Sequence, residues 1–288
     1  RGDRLFGPEP LLADWSVPRE LPQIAYLSPQ SDPERVVEIA MTRVDERPGF
    51  VIDYTTISSW QSHFVFERGQ TYLVTSWAYL TGVARFEGGS VIKYNNSTLL
   101  IYEDVSFEST IRSPVIFTSM HDDSFGEVIA GSSGVPPAAP YNSTYLYLSG
   151  RTDLVMENFH MKYGHWGIFS TGGSGHRVSN ATFTHCHNPL IVSGTQGMVV
   201  ENVLLHDFFE GIYCYYSSCS ASHVTAHDGS HLVKNGLLTL QNSLIVDVDS
   251  ISSYSGRYAS HNVEVSSSSG VFESSGGGLH YLATGSPY

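Results

Sequence analysis

The chain has 288 residues and a formal net charge of −13, with 41% hydrophobic and only 15% charged residues. That balance excludes a disordered polyelectrolyte, and 15 Lys and Arg without a basic stripe exclude a nucleic-acid partner. No apolar run approaches the roughly 18 residues that mark a membrane span.

Gly (27), Tyr (17) and Phe (14) are plentiful, and Ser, Thr and Asn crowd the second half, as suits many short strands joined by tight turns. Three cysteines, Cys186, Cys214 and Cys219, do not make a full disulfide framework. Cys214 and Cys219 are close enough in sequence to bridge; buried thiols are the competing expectation. Glycosylation triplets begin at Asn95, Asn96, Asn142 and Asn180. The chain opens at Arg1 with no secretory leader, as expected of a processed product.

Residues 1–63 read as an irregular N-terminal cap or linker, because seven prolines fall between Pro8 and Pro48. Asp32 as N-cap and Pro33 at the first position predict a short helix through Ala40. Arg1-Gly2-Asp3 matches an adhesion tripeptide and is read as chance.

From about residue 64 short strands follow one another: 71–74, 83–86, 91–94, 99–102 and 114–117. The stretch His121-Asp122-Asp123-Ser124-Phe125-Gly126-Glu127 then leads into a long Gly/Pro-rich loop. Asp122, Asp123 and Glu127 put three carboxylates beside a glycine bend, which predicts a weak Ca²⁺ site; a solvated acidic loop is the alternative.

Downstream, a repeat sets the fold. Asn158, Asn180 and Asn202 stand 22 residues apart, Asn242 follows after 40 and Asn262 after 20, with Ser222 expected at the intermediate step. Ile168, Leu190 and Ile212 keep the same period, as do Ser170, Val192 and Cys214, and Val178, Val200 and Ser222. A βαβ unit needs about 30 residues and a helix. Three strands in 22 residues leave a coil of three short strands per turn. The reading is all-β: a right-handed parallel β-helix over 64–288, with an Asn ladder and a Ser/Gly-rich C-terminal end. Asn suits a left-handed bend between strands, and stacked amides bond to one another. About nine coils at about 4.8 Å each make a rod near 45 Å long.

The segments Phe86–Tyr94 and Pro114–Glu127 resemble large secreted or surface-anchored bacterial proteins with β-helix regions of the pectate-lyase-like superfamily. The resemblance covers about residues 64–265. It implies the fold and an extracellular or cell-surface location, but no single activity. Related enzymes cleave polysaccharides; other members are adhesins or rods. The polygalacturonase signatures are missing as a set, and Arg151, Arg177 and Arg257 lack the acidic neighbours of a pectate lyase.

Two outward columns carry candidate chemistry. Counting coil steps aligns His206, His227 and Asp247, after Lys162 and Thr184, with Asp207, Asp228 and His185 beside them. Such a set binds a metal or performs acid/base catalysis if the protein is an enzyme; a plain polar face is the alternative. Phe169 and Tyr213 share a column with Ile191, and Tyr215 lies near. Exposed rings stack on sugars or bury against protein. The expected function is a non-catalytic module in adhesion, spacing or assembly, with a polysaccharide, another protein or a second copy as partner. The rival is a polysaccharide-active enzyme or a carbohydrate-binding module.

Overall fold

The computed structural model describes residues 54–137, 143–235, 237–252, 261–275 and 278–288. The chain divides into two units, Arg1–Phe50 and Val51–Tyr288. The helix expected from Asp32 and the first 53 residues of the expected cap lie outside the described residues.

Every described element is a strand, and all pairings but the last hairpin and one isolated bridge are parallel. The chain winds through three stacks in a fixed order, completing about nine turns. Stack A starts with Tyr54–Ile57, Thr71–Val74, Val91–Tyr94 and Val115–Ser119, paired edge to edge. Stack B starts with Gln61–Ser62, Trp77–Thr81, Thr98–Ile101 and Thr144–Ser149. Stack C starts with Val65–Phe66, Val83–Glu87 and Asp104–Glu108. Among the described residues pairing begins at Tyr54, ahead of the expected residue 64.

In Val155–Lys162, Arg177–Cys186, Met198–Tyr215 and Ser218–Lys234, strands C and A fuse across a single bent residue. That corner carries Asn158, Asn180, Asn202, His223, Asn242 and His261, all with φ between 50° and 69°. The coil after Asn202 has 21 residues, because Glu201 pairs with Ser222 and Val203 with Val224. His223, not Ser222, therefore turns this corner, and Ala221 takes the inward place below Val200. Asn262 likewise sits one place past the corner, where its amide donates to the Leu240 carbonyl. Asn202 donates to Asn180 at 2.8 Å, the expected amide link.

Alternation then sorts side chains. Met156, Val178, Val200, Ala221 and Leu240 point inward from stack C; Phe159, Phe183, Leu205 and Ala226 from stack A; Ile168, Leu190 and Ile212 from stack B. The earlier coils fill the same core with rings: Phe66 stacks on Phe86 at 4.5 Å and Phe86 on Phe107 at 4.9 Å. Tyr94 and Tyr145 stack at 4.2 Å, and burial pushes both phenols well above their ordinary range. Cys214 and Cys219 meet across a tight corner as thiols, Sγ to Sγ 2.8 Å, while Cys186 is buried elsewhere. Among the described residues no helix is long and apolar enough to cross a membrane.

Candidate functional site

The outer faces of stacks A and B differ. On stack A one outward column runs through Leu73, Lys93 and Thr118, and continues from Lys162 through Thr184, His206, His227 and Val246. Two segments pack onto it. The first is the loop after Ser119. Its Ile129 is buried with Leu73 and Met120. Lys93 is fully buried, and its ammonium donates to the Asp122 and Glu127 carbonyls at 2.8 and 2.7 Å. Burial lowers the Lys93 pKa, against the opposing pull of Asp123, Asp122 and Glu127.

Asp122 accepts from Thr118 Oγ1 at 2.6 Å and Ser124 N at 3.1 Å, and pairs with Lys162 at 3.8 Å. Burial alone would raise its carboxyl; the Ser124 and Thr118 hydrogen bonds and Lys162 outweigh that and hold it below the usual range. Asp123 instead turns to Ser132. Of the carboxylates expected to hold Ca²⁺, Asp122 and Asp123 thus turn to different partners, and the Lys93 ammonium bonds two backbone carbonyls of the same loop.

The second segment is the antiparallel hairpin of Phe272–Ser275 and Gly278–Leu282. It brings His280 onto His206 and His227. The His227 Nδ1 lies 2.9 Å from His280 Nε2, and the His206 ring centroid is 5.1 Å from that of His227 and 4.5 Å from that of His280. Phe272 packs on both His227 and His280. Among the described residues these three histidines are the one group of His, Cys, Asp or Glu whose ligand atoms all lie within 4.8 Å. Burial lowers the His206 pKa, helped by His227 and His185. Burial first, then His206 and His227, push His280 down to about 4.

Asp247 is not in this column. His227 pairs with Val246, so Asp247 falls at the next corner, where Tyr163, His185, Asp207 and Asp228 also take positive φ. The coil steps placed it one residue off. His185 bonds Asp207 there and packs edge-on against His206. A cleft of about 450 Å³ opens between the hairpin and the corner residues Asn202, His223, Asn242 and His261.

No protein-family profile, curated protein or solved structure matches the chain. The site must therefore be read from its own chemistry.

On stack B the outward column runs through Tyr79, Leu100, Tyr147, Phe169, Ile191, Tyr213 and Lys234. Phe169 and Tyr213 are thus aligned through Ile191, as the spacing predicted. More rings flank them: Trp60 is 60% exposed, Trp77 is 56% exposed, and Tyr102, Tyr215 and Tyr216 are also exposed. Trp60 stacks on Tyr79 at 4.6 Å and on Tyr102 at 5.3 Å. Trp77 meets Tyr147 only obliquely, at 6.3 Å and 49°.

Sequence reasoning missed Trp60, Trp77, Tyr79 and Tyr147, since the 22-residue period is irregular upstream. It also missed His280. The signal was there in principle: Phe272 to Leu282 is two short apolar runs around Gly276-Gly277-Gly278, a hairpin pattern. A third cluster was missed at the edge of stack B. Buried Glu210 accepts from Asn188 and pairs with Lys234, and Asn188 bonds His187.

Proposed function

We propose that the chain is an extracellular, non-catalytic β-helix module of a surface or filamentous protein, which adheres to a neutral polysaccharide through the outer face of stack B. The supporting observation is the register-aligned column from Tyr79 to Tyr213, with half-buried rings and buried Leu100 and Ile191, flanked by the exposed rings of Trp60, Trp77, Tyr102 and Tyr215. The apolar face of a sugar stacks on an aromatic ring, and coils repeating at about 4.8 Å offer ring after ring to an extended polymer. Trp77 has an open ring face, and Phe169, Tyr213 and Tyr215 continue the track. A net charge of −13 repels acidic polymers, which favours a neutral one. Kinship with secreted β-helix proteins of the pectate-lyase-like superfamily belongs to this proposal, supported by the coil architecture and the two motif segments.

A general acid/base pair needs an oriented imidazole. His227 faces His280 and not a carboxylate, and Asp247 stands at a corner, so the geometry favours binding over cleavage.

Affinity electrophoresis with neutral and acidic polysaccharides, run beside an assay for new reducing ends, tests this. The expected result is retardation by a neutral polymer, lost in Trp77→Ala, with no cleavage. Retardation by no polymer, together with self-association that Trp77→Ala abolishes, would make the partner a second copy. Cleavage lost in His206→Ala would make the protein an enzyme.

A further inference from the structure

We propose that His206, His227 and His280 form a zinc-type transition-metal site that clasps the C-terminal hairpin to the solenoid. The inference does not depend on the polysaccharide reading, since it concerns the covered face of stack A.

The ligand type comes first. Three neutral imidazoles suit zinc and its neighbours; calcium and magnesium demand oxygen. The spacing comes next. A Zn–N bond of about 2.0–2.1 Å in a tetrahedral site sets neighbouring nitrogens about 3.3 Å apart. Here the ligand atoms of all three rings lie within 4.8 Å of one another, and one pair is at 2.9 Å. Small rotations of the rings bring the three nitrogens onto one ion.

The scaffold is favourable too. His206 and His227 are register partners on adjacent strands of the solenoid, so their separation is fixed by the ladder itself. All three rings are half-buried, which limits the water that competes for the ion. Asp207 and Asp228 follow directly in the chain and add negative charge near the cation. Three protein ligands leave a fourth position for water or an outside ligand.

The clasp follows from where His280 sits. It is 53 residues beyond His227, on a hairpin outside the parallel stack, and it is the hairpin's polar contact with the column. Phe272 supplies the apolar contact by lying against His227 and His280. A bound ion therefore ties the last element of the chain to coils that are already formed.

The test uses the untagged full chain, stripped with a chelator and titrated with Zn²⁺ alone. Calorimetry reads the stoichiometry, and limited proteolysis reads the hairpin. The expected result is one ion per chain, with cleavage near residues 276–277 suppressed when Zn²⁺ is present. His280→Ala, which leaves the coils intact, abolishes both effects, and Co²⁺ in the parent chain gives the intense visible bands of a four-coordinate site. His121→Ala, in the distant loop, keeps both. No saturable binding overturns the proposal. So does binding that survives His280→Ala, because the ion would then lie elsewhere, and so does binding that leaves hairpin cleavage unchanged.

Discussion

The outer faces of stacks A and B rest on the same coils, yet one is roofed by two added segments and the other is edged by exposed rings. Stack A carries polar and charged residues at its outward positions: Lys93, Thr118, Lys162, Thr184, His206 and His227. Each covering segment meets them with matched polar groups, carbonyls and a carboxylate for the lysines and a third imidazole for the histidines. Stack B carries rings and aliphatic side chains, which pack on their own neighbours along the axis. The difference teaches that a polar ladder recruits a specific partner segment, whereas an apolar ladder is partly self-satisfied and still presents surface to the outside.

The largest effect should come from uncoupling the first roof. Lys93→Met leaves the Asp122 and Glu127 carbonyls without their donor. Leaving a buried hydrogen-bond partner unsatisfied costs about 1–3 kcal/mol, and here two carbonyls lose theirs, so a urea midpoint should fall markedly; an unchanged midpoint would show that the loop is not held through Lys93. The corner ladder comes next. Asn158 is buried and donates to the Ser109 carbonyl at 3.1 Å, so Asn158→Ala should cost about 2 kcal/mol. Asn202 is exposed, so its alanine variant loses mainly the left-handed preference, about 1 kcal/mol. Equal losses at the two corners would break that distinction.

Acid should weaken the coils through His160 and His176. Burial lowers both pKa values below the ordinary 6.5, helped at His160 by Lys162; at His176 Asp153 opposes it and Arg151 assists. Each group binds a proton more readily unfolded than folded. The stability is therefore complete above pH 6.5 and drains away as pH falls below it towards the folded values. Thermal melts of His176→Asn should show a shallower loss over that window than the parent. At the small end, Trp77→Ala should leave the melting midpoint within about 0.5 kcal/mol of the parent, because the ring is exposed. Millimolar calcium should shift the midpoint at most slightly, since Asp122 already accepts from Thr118 and Ser124 and Asp123 turns to Ser132. A clear calcium shift would place the ion at Asp122, Asp123 and Glu127.

Periodicity made the coils legible. Asn158, Asn180 and Asn202 announce the corner because consecutive coils there have equal length, and Ile168, Leu190 and Ile212 announce the core for the same reason. The reading slipped where coil length changed: one residue at Ser222, and again at Asp247, since a single shift turns a side chain to another position of the strand or corner. His206 and His227 were found because they sit within the period. His280 was not, because a hairpin outside the stack obeys no coil count. Lys93 was passed over as an ordinary strand lysine, since nothing local reveals that residues 122 and 127 will fold back over it.

The coil that holds Val115–Ser119 in stack A resumes in stack B only at Thr144–Ser149, yet both strands keep step with the coils before and after. A detour of that size is cheap, because closing a longer loop adds entropy only slowly. This one junction is therefore a natural port for a guest: a peptide or small folded domain spliced between residues 137 and 143 would ride on the solenoid without asking any rung to move.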